Sequence, residues 1–196
     1  MANQRLKLTV AAILASRSST VLQAVPATSP ERPAREDSMF TFLRGLVGDG
    51  WKAYASPTEK FAATFPGEVT RQFFGLLKDD GESPASVVYS SKSRDGVVYD
   101  VRVTRVMDYY GSAEGFLETA LTEMTRSMTD CTIVRQRKDS FRGCPAIAFE
   151  ASIRDVMSLC GIVTLHGKTL YMVSALFRSG AAHDLSRFID GFQIAR

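Results

Sequence analysis

The sequence predicts an α+β fold, an antiparallel β-sheet flanked by helices in an α/β/α sandwich. Three observations carry it. Alternating apolar runs are joined by short turn clusters such as Asp95-Gly96 and His166-Gly167, which make hairpins and exclude a parallel, doubly wound sheet. One long amphipathic stretch, 113–128, interrupts the strands. A second, shorter one closes the chain, with Leu185, Phe188, Ile189 and Phe192 spaced as i, i+3, i+4, i+7.

The elements follow in order. Trp51 to Ala55 and Phe61 to Phe65 read as two short strands around a Ser-Pro-Thr-Glu turn, a small hairpin or meander. Pro66 has no N–H to give a ladder, so the second strand ends there or lies on an edge. Val69 to Leu77 and Ala85 to Ser91 come next, parted by Asp79-Asp80-Gly81, followed by Val97 to Val106. In that last strand Val97, Tyr99, Val101 and Val103 share one face, while Asp100, Arg102 and Thr104 share the other. Period-two patterning of this kind predicts one face on the core and one in water.

Ser112 is placed to cap a helix from Ala113, with Glu114 in the first turn where the helix dipole favours an anion. Leu117, Leu121, Met124 and Met128 then mark its apolar stripe. Methionines at helical spacing are ordinarily core filler and only rarely a ligand-adaptable surface. Strands at Cys131 to Gln136, Ala146 to Ile153, Val156 to Leu165 and Thr169 to Arg178 follow. The last two are apolar on both faces and are expected to be covered on both. Helices on both sides of the sheet are the expected cover.

The chain has 196 residues, 45% of them hydrophobic, which allows one domain plus a tail. We divide it into 1–38, a targeting segment or disordered tail and linker; 39–50, a short apolar connector; and 51–196, the domain. The first 50 residues hold six Lys/Arg against four Asp/Glu, leaving eighteen against seventeen for the domain. A nearly neutral domain argues against nucleic-acid binding, whose affinity comes largely from phosphate neutralisation.

Arg5 and Lys7 precede an apolar run from Leu8 to Ala15, and Val25-Pro26-Ala27 suits a cleavage site, the order of a secretory signal. Arg17 shortens the run, so a transit peptide or a plain tail fits almost as well. The run is far below the ~20 residues that cross a bilayer, and no integral membrane span is expected. A signal would place the protein in the periplasm or envelope; without one, or with Met39 as the start, it would be cytoplasmic.

Cys131, Cys144 and Cys160 form no CxxC pair, and with His166 and His183 offer no metal-ligand spacing. Neither a metal nor any other cofactor is expected. Phosphate-binding loops, HExxH, GxSxG and SxxK are absent from the sequence. The weak catalytic candidates are Cys144 and His166: a tight turn at Arg154-Asp155 would bring them to the same end of two neighbouring strands, a thiolate beside an imidazole base. The plainer reading has Cys144 entering a strand before Pro145 and His166 polar in a hairpin loop. Glu150 reads as a solvated or helix-paired carboxylate. Arg135, Arg137, Lys138 and Arg142 are the one local basic cluster, with Arg135 and Arg137 on a shared face. They make a candidate anion or partner-binding site, against the commoner role of a charged edge that deters strand pairing.

The segments "WKAYASPTEKFAATFPG" at 51–67 and "YDVRVTRVMDY" at 99–109, the helix at 113–128 and "LSRFIDGFQI" at 185–194 together resemble the PsbP-like (Mog-type) superfamily. The resemblance lies in element order and framework residues, with no catalytic signature. It implies an antiparallel sheet between helices. It also implies roles that are mostly non-enzymatic: accessory subunits of photosynthetic complexes, envelope proteins, a Ran-binding protein, and adaptors that chaperone secreted effectors. No functional residue is carried over. In such a frame Phe65-Pro66-Gly67 is a strand terminator. Three functions follow in order of expectation. The first is a non-catalytic accessory or protein-binding domain, exported or envelope-associated. The second is a cytosolic adaptor or chaperone for a client protein, and the third a cysteine-dependent enzyme using Cys144 and His166.

Overall fold

A computed structural model describes residues 25–26, 50–74, 86–106, 109 and 111–195. The expectations for the N-terminal basic and apolar segments, the connector 39–49 and the turn at Asp79-Asp80-Gly81 lie outside these residues. The described strands are β1 (Val25–Pro26), β2 (Lys52–Ser56), β3 (Phe61–Phe65), β4 (Thr70–Phe74), β5 (Ser86–Lys92) and β6 (Val98–Arg105). After helix α1 (Ala113–Ser127) come β7 (Cys131–Phe141), β8 (Cys144–Ile153), β9 (Met157–His166) and β10 (Thr169–Arg178). Helix α2 (Leu185–Asp190) and β11 (Gln193–Ile194) close the chain.

The main sheet has eight strands in the order β1-β4-β5-β6-β10-β9-β8-β7, with every neighbour antiparallel. Local chemistry sets the hairpins. Gly96 at φ +85° turns β5 into β6, with Ser93 and Val97 closing the bend through a backbone hydrogen bond of 2.8 Å. Arg142-Gly143 and Arg154-Asp155 each hold two consecutive left-handed residues, the first as a two-residue hairpin turn and the second within the three-residue link 154–156. They join β7 to β8 and β8 to β9. The strand expected at Cys131 to Gln136 runs on to Phe141, because the two-residue turn lets it pair with β8 to its end. A bulge leaves Val134 unpaired between Ile133, opposite Ala151, and Arg135, opposite Glu150.

Helix α1 begins where its cap allows. The Ser112 hydroxyl accepts a hydrogen bond from the Gly115 N–H at 3.1 Å. Phe116, Leu117, Leu121 and Met124 are buried against Phe149, Ala151, Leu159, Val163 and Met172 of the sheet. The polar face of β6 does not simply meet water, as its alternation suggested. Thr104 is 1% exposed, and its hydroxyl meets that of Ser86 at 2.6 Å. Arg102 and Thr104 lie beside Ala120, Leu121 and Met124 of α1.

The opposite face corrects the expected helix cover. Antiparallel sheets with helices are what the chain forms, but the layer above β5, β6 and β10 is mainly a second sheet of three strands, β11-β3-β2, with α2 beside it. β11 is only two residues long, too short to show as a period in the sequence. It makes β3 a central strand, and all five residues of β3 are buried. Pro66 falls just after β3, so its missing N–H costs no ladder bond. Trp51, Phe61, Phe65, Tyr89, Tyr99, Phe188 and Phe192 fill this half of the core. The rings meet largely edge-on, as with Phe61 and Tyr89 at 4.9 Å or Tyr99 and Phe188 at 5.2 Å, the geometry aromatic quadrupoles favour.

Candidate functional site: an open sheet face beside α2

The second layer is narrower than the sheet beneath it. Helix α2 packs on β3, β9 and β10, so the same face of β7 and β8 and the outer part of β9 stay uncovered. There a groove of ≈ 670 Å³ is floored by Ala148 and Glu150 of β8 and Cys160 and Ile162 of β9. Leu185 and Ile189, one helical turn apart on α2, form its inner wall, and Arg135 and Arg137 of β7 its outer one. Ala148, Cys160, Leu185 and Ile189 are half-buried, and the charged groups are exposed.

The four basic residues part company. Arg135 and Arg137 flank the groove, opposite Glu150 and Ala148 in register. Arg137 also donates to the Asp139 carboxylate at 2.8 Å, and Asp139 titrates below its usual range because the Ser140 N–H and Arg137 both hold its anion. Lys138 points to the other face, where its ammonium lies 3.0 Å from Glu118 and 3.6 Å from Glu114 of α1. The Glu118 carboxylate, by hydrogen bond and charge, pushes the lysine upward, with Glu114 adding to it. Arg142 reaches the carbonyls of Phe192 and Asp190, both at 2.9 Å, and ties the β7–β8 turn to the end of α2.

Cys160 lies on the groove floor opposite Glu150. Burial, and then the Glu150 charge, push its thiol up to about 11, so it stays protonated and a poor nucleophile near neutrality. Cys144 and His166 sit elsewhere, at one end of β8 and β9. Ala146 faces Thr164 and Ile153 faces Met157, and continuing that register sets Cys144 across from His166. The thiol is half-buried and the imidazole exposed, and no hydrogen bond joins them among the described residues. Thr164 donates to the Pro145 carbonyl at 2.9 Å beside them.

Two further clusters escaped the sequence reading. Glu59, 8% exposed, has Arg71 and Arg105 each at 3.9 Å. Its carbonyl accepts from the Tyr171 hydroxyl at 2.8 Å, and nearby Ser56 and Tyr89 share a hydrogen bond of 3.0 Å. Burial raises Tyr171 and Tyr54 to about 12. The partners come from β2, β4, β5, β6 and β10, far apart in the chain, so the sequence showed only the Ser-Pro-Thr-Glu turn and not the cluster around it. A second cleft, of ≈ 650 Å³, gathers Pro66, Gly67 and Glu68 with Trp51, Tyr99, His183 and Asp184. The Phe-Pro-Gly segment therefore ends a strand and also borders this cleft.

No family model matches the chain, and no curated protein matches it. Among solved structures, it is similar to the solution structure of cyanobacterial PsbP (CyanoP) from Synechocystis sp. PCC 6803. The match covers 76% of this chain and 95% of that one, at 14% identity and a TM-score of 0.47. At that level the likeness assigns neither a family nor an activity.

Proposed function

We propose that this chain is a non-catalytic, PsbP-like accessory domain that binds another protein through the open face beside α2. The observation that carries the reading is the uncovered part of the sheet. Half-buried apolar side chains from β8, β9 and α2 meet there, rimmed by arginines, the composition of an interface with an apolar centre and a polar rim. An accessory role in the envelope accords with the order of charge and apolar residues in the first 27 positions, and an adaptor role in the cytoplasm would use the same face.

A photo-crosslinking residue in place of Ile189, expressed in the native cells, tests the reading. A discrete protein adduct from Ile189, with none from Thr122 on the outer surface of α1, is the expected result. Equal labelling or no adduct would overturn it. Intact mass of the recovered protein then separates the two locations: processing near Ala27 supports export, and an unprocessed N-terminus supports the adaptor.

A second reading, a cysteine-dependent enzyme, draws on the opposition of Cys144 and His166 across β8 and β9. It requires Cys144 to be alkylated at pH 7 faster than a free thiol, with His166→Ala abolishing the excess rate.

A further inference from the structure

We infer that the segment seated in the groove is an amphipathic helix of a partner protein, apolar along one stripe and acidic along the flank that meets β7. The inference rests on the protein-binding reading above and names the shape and charge of what is bound.

The dimensions come first. Neighbouring strands are about 4.8 Å apart, so β7 to β9 span roughly 10 Å, close to the roughly 10 to 12 Å diameter of a helix with its side chains. The same three strands already carry one helix: α1 lies over β7, β8 and β9 on the other face. On the groove side, α2 sits toward β9 and β10 and leaves β7, β8 and the outer part of β9 without a helix. A helix beside α2 would complete the layer, as α1 completes its own.

The side chains then set the pattern. Leu185 and Ile189 offer a two-residue ridge, and Ala148 and Cys160 keep the floor low, so a helix can approach with Leu-sized residues at i, i+3, i+4 and i+7. Arg135 and Arg137 stand on the far side and call for carboxylates on that flank, with Arg137 shared between a partner's acid and the exposed Asp139. Glu150 rises between the strands and repels a uniformly acidic segment. It confines the acids to the β7 flank and leaves the centre for apolar or basic residues.

An added β-strand along β7 is the competing occupant, and the structure argues against it. The bulge at Val134 kinks this edge strand, and the strand's cations guard the edge as they do in proteins that avoid edge pairing.

Displayed libraries of 14-residue peptides decide between them. One set is patterned as helices, with apolar residues at i, i+3, i+4 and i+7; the other alternates as strands. Each is made with an acidic and a basic flank and selected on the full chain. The expected result is enrichment of helices with an acidic flank. Arg135→Glu with Arg137→Glu should weaken their binding by roughly tenfold or more, as attraction becomes like-charge repulsion, and should enrich the basic-flank helices instead. Both arginines are exposed on an edge strand, and circular dichroism of the variant checks that its fold is kept. Enrichment of strand patterns, of helices indifferent to the charge swap, or of nothing would overturn the inference. An adduct at Ile189 alongside any of those outcomes leaves the protein-binding function standing while removing its helical occupant.

Discussion

At the scale of single residues, β9 sets two adjacent side-chain positions against opposite faces. Gly161 opposes Ser174, and a Cβ built on it would run into the Val173 carbonyl and come within 2.8 Å of the Ser174 Cβ. Backbone cannot swing aside as a flexible side chain can. Gly161→Ala is therefore expected to lower stability by about 2 kcal/mol, measured by urea denaturation, whereas Gly143→Asn at an open left-handed turn should cost far less. Beside it, Cys160 gains its proton-holding environment from burial and Glu150. Its thiol should resist iodoacetamide at pH 8 in the folded protein and react on unfolding, as mass spectrometry would show. The sign of the accompanying pH effect follows from the raised value. Folding favours the neutral thiol, so this contribution is complete below 9.0 and fades as pH rises through about 11. Tyr54 and Tyr171, raised from 10.0 to about 12, extend the same alkaline loss upward.

At the scale of elements, the turns and caps connect what the strands alone would leave apart. Arg142 is the clearest case, since its guanidinium satisfies two carbonyls at the end of α2 while its own backbone makes the β7–β8 turn. Arg142→Ala should cost about 1 to 3 kcal/mol and speed hydrogen exchange of α2 more than of β7, because a charge-assisted tie is lost where the helix is shortest. These elements also show what was legible in the sequence. The Ser112 cap, the Asp95-Gly96 turn and the Leu117-Leu121-Met124 stripe each depend on residues within a few positions, and the structure has all of them. The basic run 135–142 read as one patch because one-dimensional spacing cannot say which acids or carbonyls arrive from elsewhere. Glu114 and Glu118 of α1 draw Lys138 to one face, and residues 190 and 192 take Arg142, leaving Arg135 and Arg137 at the groove.

At the scale of the whole molecule, the segment 185–196 decides the architecture, and here the sequence was least explicit. A stripe of Leu185, Phe188, Ile189 and Phe192 announces a helix, yet α2 ends at Asp190 and Phe192 leads into β11. Periodicity records which residues are apolar, and the distant strand that Gln193 and Ile194 join is settled only by three-dimensional closure on β3. Phe188 and Phe192, both 0% exposed, pack among Trp51, Phe61, Phe65, Tyr99, Phe141 and Tyr171. They join the small sheet to the main sheet and to the β7–β8 hairpin. Removing residues 185–196 should therefore do more than fray an end. It turns β3 into an edge, opens the aromatic half of the core and removes the inner wall of the groove. The half built on α1 keeps its own apolar cluster. The expected product is a partly folded chain with far-UV dichroism retained, the near-UV signal of Trp51 lost and the dye ANS bound. Phe188→Ala, a milder cut at the same place, should cost about 3 to 5 kcal/mol while preserving cooperative unfolding. A truncated chain that still showed native near-UV dichroism would mean that the small sheet stands without its closing strand.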